Sequence, residues 1–140
     1  MQFTTVKNTN QEAVIHFTSS AAESGTITIA DLAAPTQARN SDAPTVNIVK
    51  FSVMGELGSK VTFNRNGKIV IACAPENAPY MEANSWGIPI NNDNTSDLVI
   101  TNGAAKDVSG FIVLRKVAGW STKVETATYS VYDDQTQVGA

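Results

Sequence analysis

The sequence predicts an all-β protein, an antiparallel β-sandwich or jelly-roll-like domain of seven to eight strands. Three observations carry this expectation. Short segments rich in Val, Ile, Thr and Phe recur along the 140 residues, separated by clusters of Gly, Asn, Asp, Ser and Pro. No segment sustains the 3.6-residue apolar period of an amphipathic helix, and the best helical window, SAAES, is short and ends at Gly25. Finally, Asn66-Gly67 stands between two alternating apolar stretches, where both residues tolerate the positive φ of a two-residue type I′ turn. Strands spaced by turns in a chain of this length describe a sandwich.

Taken in order, the first strand is AVIHFTS, residues 13–19, followed by a turn at AAESG. GTITIA (25–30) comes next, with Ile27 and Ile29 facing one way and Thr26 and Thr28 the other, as in a half-buried strand. Residues 31–44 carry two prolines and many small polar side chains and read as a loop. TVNIVKFSV (45–53) is a strand with Val49, Phe51 and Val53 on one face. The Asn-Gly hairpin then pairs 60–65 with 68–74. ENAPYMEANSWGIPINNDNTSD, residues 76–97, reads as a long loop, and DLVITN (97–102) and GFIVLRKV (110–117) are strands joined by a turn. A last candidate strand, TATYSVY, covers 126–132. The expected organisation is a sandwich domain over 1–120 and a C-terminal strand and tail over 121–140.

Composition narrows the function classes. Apolar residues make up 42%, and a globule of this length buries ~68% of its extended-chain surface, so a core forms without metal or disulfide. Charged residues are sparse at 16%, the net charge is −3, and the cations are scattered singly. Neither nucleic acid nor anionic membrane is an expected partner. Cys73 is the one cysteine, set in KIVIACA, and reads as a small buried hydrophobe rather than a reactive thiol. MQFTTVKNTN lacks the basic and apolar regions of a signal peptide, and no apolar run reaches the ~20 residues of a membrane-spanning helix. Synthesis in a reducing cytoplasm is the expectation.

Catalytic chemistry has few candidates. His16 is the single histidine, and alternation puts it with Val14 and Thr18, opposite Ile15 and Phe17. A Ser-His or Cys-His device needs an exposed nucleophile beside it and a third orienting group, so His16 reads as a strand-face residue without a catalytic role. The patterns G-x-S-x-G, H-E-x-x-H, the P-loop and G-x-G-x-x-G are missing. Zinc needs several Cys or His ligands, and Cys73 and His16 are the only two such residues. Neither an enzyme nor a cofactor is expected.

The large side chains outside the expected strands are Tyr80, Trp86, Ile88 and Ile90 in the 76–97 loop, and Trp120 beyond the strand 110–117. They are the candidate partner-binding residues, because large anchors carry most contact energy. For Trp86, interface and core closure stand equally open; Trp120 follows a strand directly, which favours the core or sandwich edge. Two ligand readings compete for the loop. Asp93, Thr95 and Asp97 present alternating oxygens to calcium, but the run lacks the glycine and distal Glu of an EF-hand loop. Such residues also make ordinary turns through side-chain-to-backbone bonds. Tyr80 and Trp86 with the surrounding Asn and carboxylate side chains resemble a carbohydrate platform. Asn94-Thr95-Ser96 matches a glycosylation sequon by pattern alone. The expectation is protein contact, with neither sugar nor metal bound.

The order of VKNTNQEAVIHFTSS and GTITIADLA, then PTVNIVKFSV, VTFNRNGKIVI, a loop with WGI and NNDNTSDLVIT, and finally GFIVLRKVAGW, has a further meaning. Over residues 5–120 it resembles small β-rich virion structural proteins of tailed bacteriophages, particularly marine ones. The resemblance implies a head decoration or cement protein on the outer surface of the virion, made in the host cytoplasm. Its partners would be the major capsid protein and further copies of itself, with a homotrimer expected, a monomer or dimer being the alternative. No catalytic signature and no binding residues come with the resemblance. VKNTNQE and the segment 126–132 are then candidate arms toward neighbours, although an edge strand within the chain accounts for 126–132 more simply. The rival class is a carbohydrate- or calcium-dependent binding module.

Overall fold

The computed structural model describes residues 1–34, 37–39, 44–83 and 93–122. The strands are β1 (Gln2–Asn8), β2 (Glu12–Ser19), β3 (Glu23–Ile27), β4 (Gln37–Arg39), β5 (Val46–Gly55), β6 (Val61–Arg65), β7 (Lys68–Cys73), β8 (Tyr80–Glu82), β9 (Leu98–Asn102), β10 (Val108–Lys116) and β11 (Trp120–Thr122). Two short 3₁₀ turns, Ile29–Leu32 and Pro75–Asn77, complete the elements. One sheet has the order β1-β2-β10-β5-β8, the second β3-β9-β6-β7, and β11 pairs with β4 in a small side sheet.

The wiring is that of one long hairpin wound into two layers. β2 pairs with β10, β3 with β9, β5 with β8 and β6 with β7, all antiparallel. Winding then brings β10 beside β5 and β9 beside β6. Eight strands connected this way form a jelly roll. β1, β4 and β11 are added to it, so the described residues hold eleven strands where seven to eight were expected.

Seven of the expected strands are present, and the differences have local causes. At the Asn-Gly turn, Asn66 (φ 51°) and Gly67 (φ 74°) both adopt left-handed backbone, as the I′ geometry requires. β3 stops at Ile27, because Ile29 turns into a 3₁₀ helix that buries Ile29 and Leu32. Within residues 31–44, three residues form β4 rather than loop. The 76–97 segment is not wholly irregular either: Tyr80–Glu82 is β8, the strand that completes the five-stranded sheet against Lys50, Phe51 and Ser52. Nor is the start of the chain an arm, since Gln2–Asn8 pairs with β2. Val49, Phe51 and Val53 are all buried, as alternation placed them, and a bulge in β5 opposite Val113 and Leu114 shifts the register so that Val46 and Ile48 are buried as well. The candidate strand 126–132 lies outside the described residues.

Both sheets feed one core. Phe17, Phe51, Val53, Ile112 and Leu114 come from one layer, and Val61, Phe63, Leu98 and Ile100 from the other. Phe63 ties the layers together, edge-on to Phe17 at 6.0 Å and to Phe51 at 5.5 Å between ring centroids. Gly110 makes room for this packing, since a Cβ there would meet the Ser52 carbonyl at 2.5 Å and the Phe17 ring at 2.9 Å.

Candidate functional surface

Alternation along β2, β5, β8 and β10 sends apolar residues inward and a second set outward. Register then places the outward residues in rows. Thr4 lies opposite His16, His16 opposite Phe111, Phe111 opposite Ser52, and Ser52 opposite Tyr80. This row crosses all five strands. On one side runs Gln2, Thr18, Ser109 and Met54; on the other Lys7, Val14, Val113, Lys50 and Glu82. Phe111 is 44% exposed, Tyr80 60% and Met54 56%, unusual exposure for side chains of this size.

Both exposed rings are nonetheless held. His16 and Phe111 stack at 4.7 Å between centroids with a 42° tilt. The Tyr80 hydroxyl donates to Glu82 Oε2, whose carboxylate lies 3.8 Å from Lys50 Nζ. Accepting from Tyr80, the Glu82 carboxylate holds the phenol above its ordinary pKa, with burial a smaller contribution. His16 thus stands where alternation placed it, and its ring supports another aromatic.

The opposite outer face is different. Outward residues of β3, β9, β6 and β7 form the rows Ser24-Thr101-Thr62-Ala72 and Thr26-Val99-Asn64-Ile69. None is charged. Ser24 and Thr101 share a 2.8 Å hydrogen bond, and Asn64 Nδ2 donates to Thr62 Oγ1 at 3.3 Å.

Two cations buried at one end of the sandwich escaped the sequence reading. Arg65 is fully buried, donating from Nε and Nη2 to the Ser96 carbonyl (3.0 and 2.8 Å) and from Nη1 to Val46 (2.9 Å). Burial lowers its pKa, and the nearby Asp93 and Asp97 charges offset part of that. Lys116 Nζ donates to Asn8 Oδ1 (2.7 Å), the Thr9 carbonyl (2.8 Å) and Gln37 Oε1 (2.5 Å), and lies 5.0 Å from the Trp120 ring centroid. Burial lowers its pKa to about 8. The available signal was phase. Arg65 continues the inward period of Val61 and Phe63, and Lys116 that of Ile112 and Leu114.

The candidate calcium residues act as turn-makers. Asp93 Oδ1 accepts from the backbone N–H of Thr95 and Ser96, and Oδ2 from the Ser96 hydroxyl. Burial raises its pKa, but these hydrogen bonds, with Arg65, outweigh that and bring it below the ordinary value. Asp97 Oδ1 accepts from Ile29 N–H at 2.9 Å, fastening β9 to the 3₁₀ turn. Among the described residues no group of three His, Cys, Asp or Glu side chains is placed to share a metal ion. Cys73 is half-buried against the core, and burial raises its thiol pKa.

Of the sequence-derived contact residues, Tyr80 belongs to the exposed aromatic row. Trp120 packs on the core of its own domain and donates from Nε1 to the Thr45 carbonyl at 2.9 Å. Trp86, Ile88 and Ile90 lie outside the described residues, so the platform of Tyr80 with Trp86 does too. Phe111 was missed. Its signal was an aromatic residue on the outward phase of GFIVLRKV, opposite Ile112. No protein family, curated protein or solved structure matches the chain, leaving its own side chains as the guide to function.

Proposed function

We propose that the protein is a structural component of a tailed-phage virion, a decoration or cement protein that binds the outside of the head and acts through contact. The observation that carries this reading is how the chemistry-bearing side chains are employed. His16 supports Phe111, Arg65 and Lys116 fasten loops, and Asp93 and Asp97 cap turns. What the jelly roll offers to solvent is two broad sheet faces. The uncharged Ser/Thr-rich face of β3-β9-β6-β7 suits close packing on a shell subunit, because no buried charge then needs a partner. The resemblance over residues 5–120 points the same way, while the fold by itself fits several functions.

Cementing requires area across subunit joints. A specific interface buries ~1,600 Å² in total, and a symmetric trimer multiplies several smaller contacts through avidity. Trp86, Ile88 and Ile90 are the proposed anchors of those contacts. Adding purified protein to undecorated heads of the phage that encodes it should give co-sedimentation and heads that resist heating better. Trp86→Ala should weaken attachment while preserving the thermal midpoint of the free protein. Wild-type protein that stays at the top of the gradient, with heads unchanged, sinks the reading.

A further inference from the structure

We propose that the aromatic row on the outer face of the five-stranded sheet is a binding site for a neutral polysaccharide laid across the strands. The row pairs exposure with immobility. Phe111 is braced by His16, and Tyr80 is anchored through its hydroxyl to Glu82 and onward to Lys50. Rings fixed before binding lose little entropy when a sugar ring stacks on them. Phe111 and Tyr80 stand two strands apart, roughly 9.6 Å. Ser52 lies between them in register, a small, half-buried residue that carries a hydroxyl. Stacked rings with hydrogen-bonding groups between them match the two surfaces of a pyranose, its C–H faces and its hydroxyl rim.

Area and charge decide between a glycan and a protein occupant. Four interstrand gaps give a row ~19 Å long, and with its flanking rows the strip covers roughly 270 Å². A stable protein interface needs ~800 Å² per partner. A linear chain fits the strip; a protein surface does not. No carboxylate, lysine or arginine stands in the row itself, and beside it Lys50 pairs with Glu82 and Lys7 with Glu12. An uncharged ligand matches that balance. The site is independent of the virion reading and stands if that reading falls.

The test is native electrophoresis of the full chain through gels containing hydroxyethylcellulose, soluble xylan or laminarin, with alginate as the anionic control. Wild-type protein should be retarded in at least one neutral gel and not in alginate. Tyr80→Ala and Phe111→Ala should each weaken retardation about tenfold, and Tyr80→Phe, which keeps the ring but loses its anchor, about twofold. Both rings are solvent-exposed, so the variants should unfold at wild-type urea midpoints. Unretarded migration in every neutral gel overturns the proposal, as does retardation that both alanine variants retain. A solution mass that falls in Phe111→Ala also overturns it, assigning the face to contact between copies.

Discussion

Arg65 and Lys116 are where single residues matter most, because each holds separate chain segments by charge-assisted bonds in a buried place. Arg65 joins the end of β6 to the start of β5 and to the turn before β9. Arg65→Met keeps volume but strands the Val46 and Ser96 carbonyls, a loss of about 3 kcal/mol. Urea unfolding checks this, and a loss under 1 kcal/mol would mean that water satisfies both carbonyls. Lys116 makes a pH prediction. Its folded pKa is about 8, whereas an unfolded lysine titrates near ~10.4. Between those values the unfolded chain binds more protons, so this contribution to stability rises with pH. From pH 7.5 to 9.5 the wild type should gain about 2 kcal/mol relative to Lys116→Met. Parallel pH curves would show that its three oxygen acceptors cancel the desolvation. At this scale alternation was legible in the sequence, yet charge obscured it: a lysine or arginine at a strand end looks solvent-bound until its phase is counted.

Elements were legible in proportion to their length and to the chemistry of their turns. The β6–β7 hairpin declared itself because only residues tolerant of positive φ fit a two-residue I′ turn. Gly67 at φ 74° has open space where a Cβ would go, so Gly67→Ala isolates the backbone term. It should lower stability by about 1–2 kcal/mol. A midpoint unchanged in a denaturant titration would indicate that the turn has relaxed to another type. β8, β4 and β11 are three residues each, too short for alternation to register. Partners specify them: Tyr80–Glu82 is a strand because β5 offers it an edge. β1 was hidden by polarity, its Gln, two Thr, Lys and Asn among seven residues suiting an edge strand, and it bulges at Val6. The bulge at Val49 was invisible for a different reason. Strict period 2 rightly buried Val49 with Phe51 and Val53 but left Val46 and Ile48 on the other face, and nothing local marks the register shift against β10 that buries them too.

For the whole molecule, the sandwich class followed from strand spacing, but the jelly-roll wiring did not, since β2 meets β10 only after about ninety intervening residues are in place. The two outer faces emerge only once that wiring is known, and they make the last prediction. A domain with an uncharged Ser/Thr-rich face opposite the aromatic strip has, on that uncharged side, surface to share with copies of itself. The proposed homotrimer should scatter light as three times the 14.9 kDa chain. Asp93 and Asp97 are occupied by backbone N–H groups, so calcium chelation should leave that mass unchanged. A charge placed in the middle of the Ser/Thr face tests which surface is shared. Thr62→Lys sits on a central strand with its side chain outward, costs the fold little, and should dissociate a trimer built on that face by adding like charge to every contact. A monomer in the wild type would move cementing to the shell alone, where copies meet only after binding. A mass that falls on chelation would mean that the Asp93 turn gives up its hydrogen bonds to a metal at the subunit boundary.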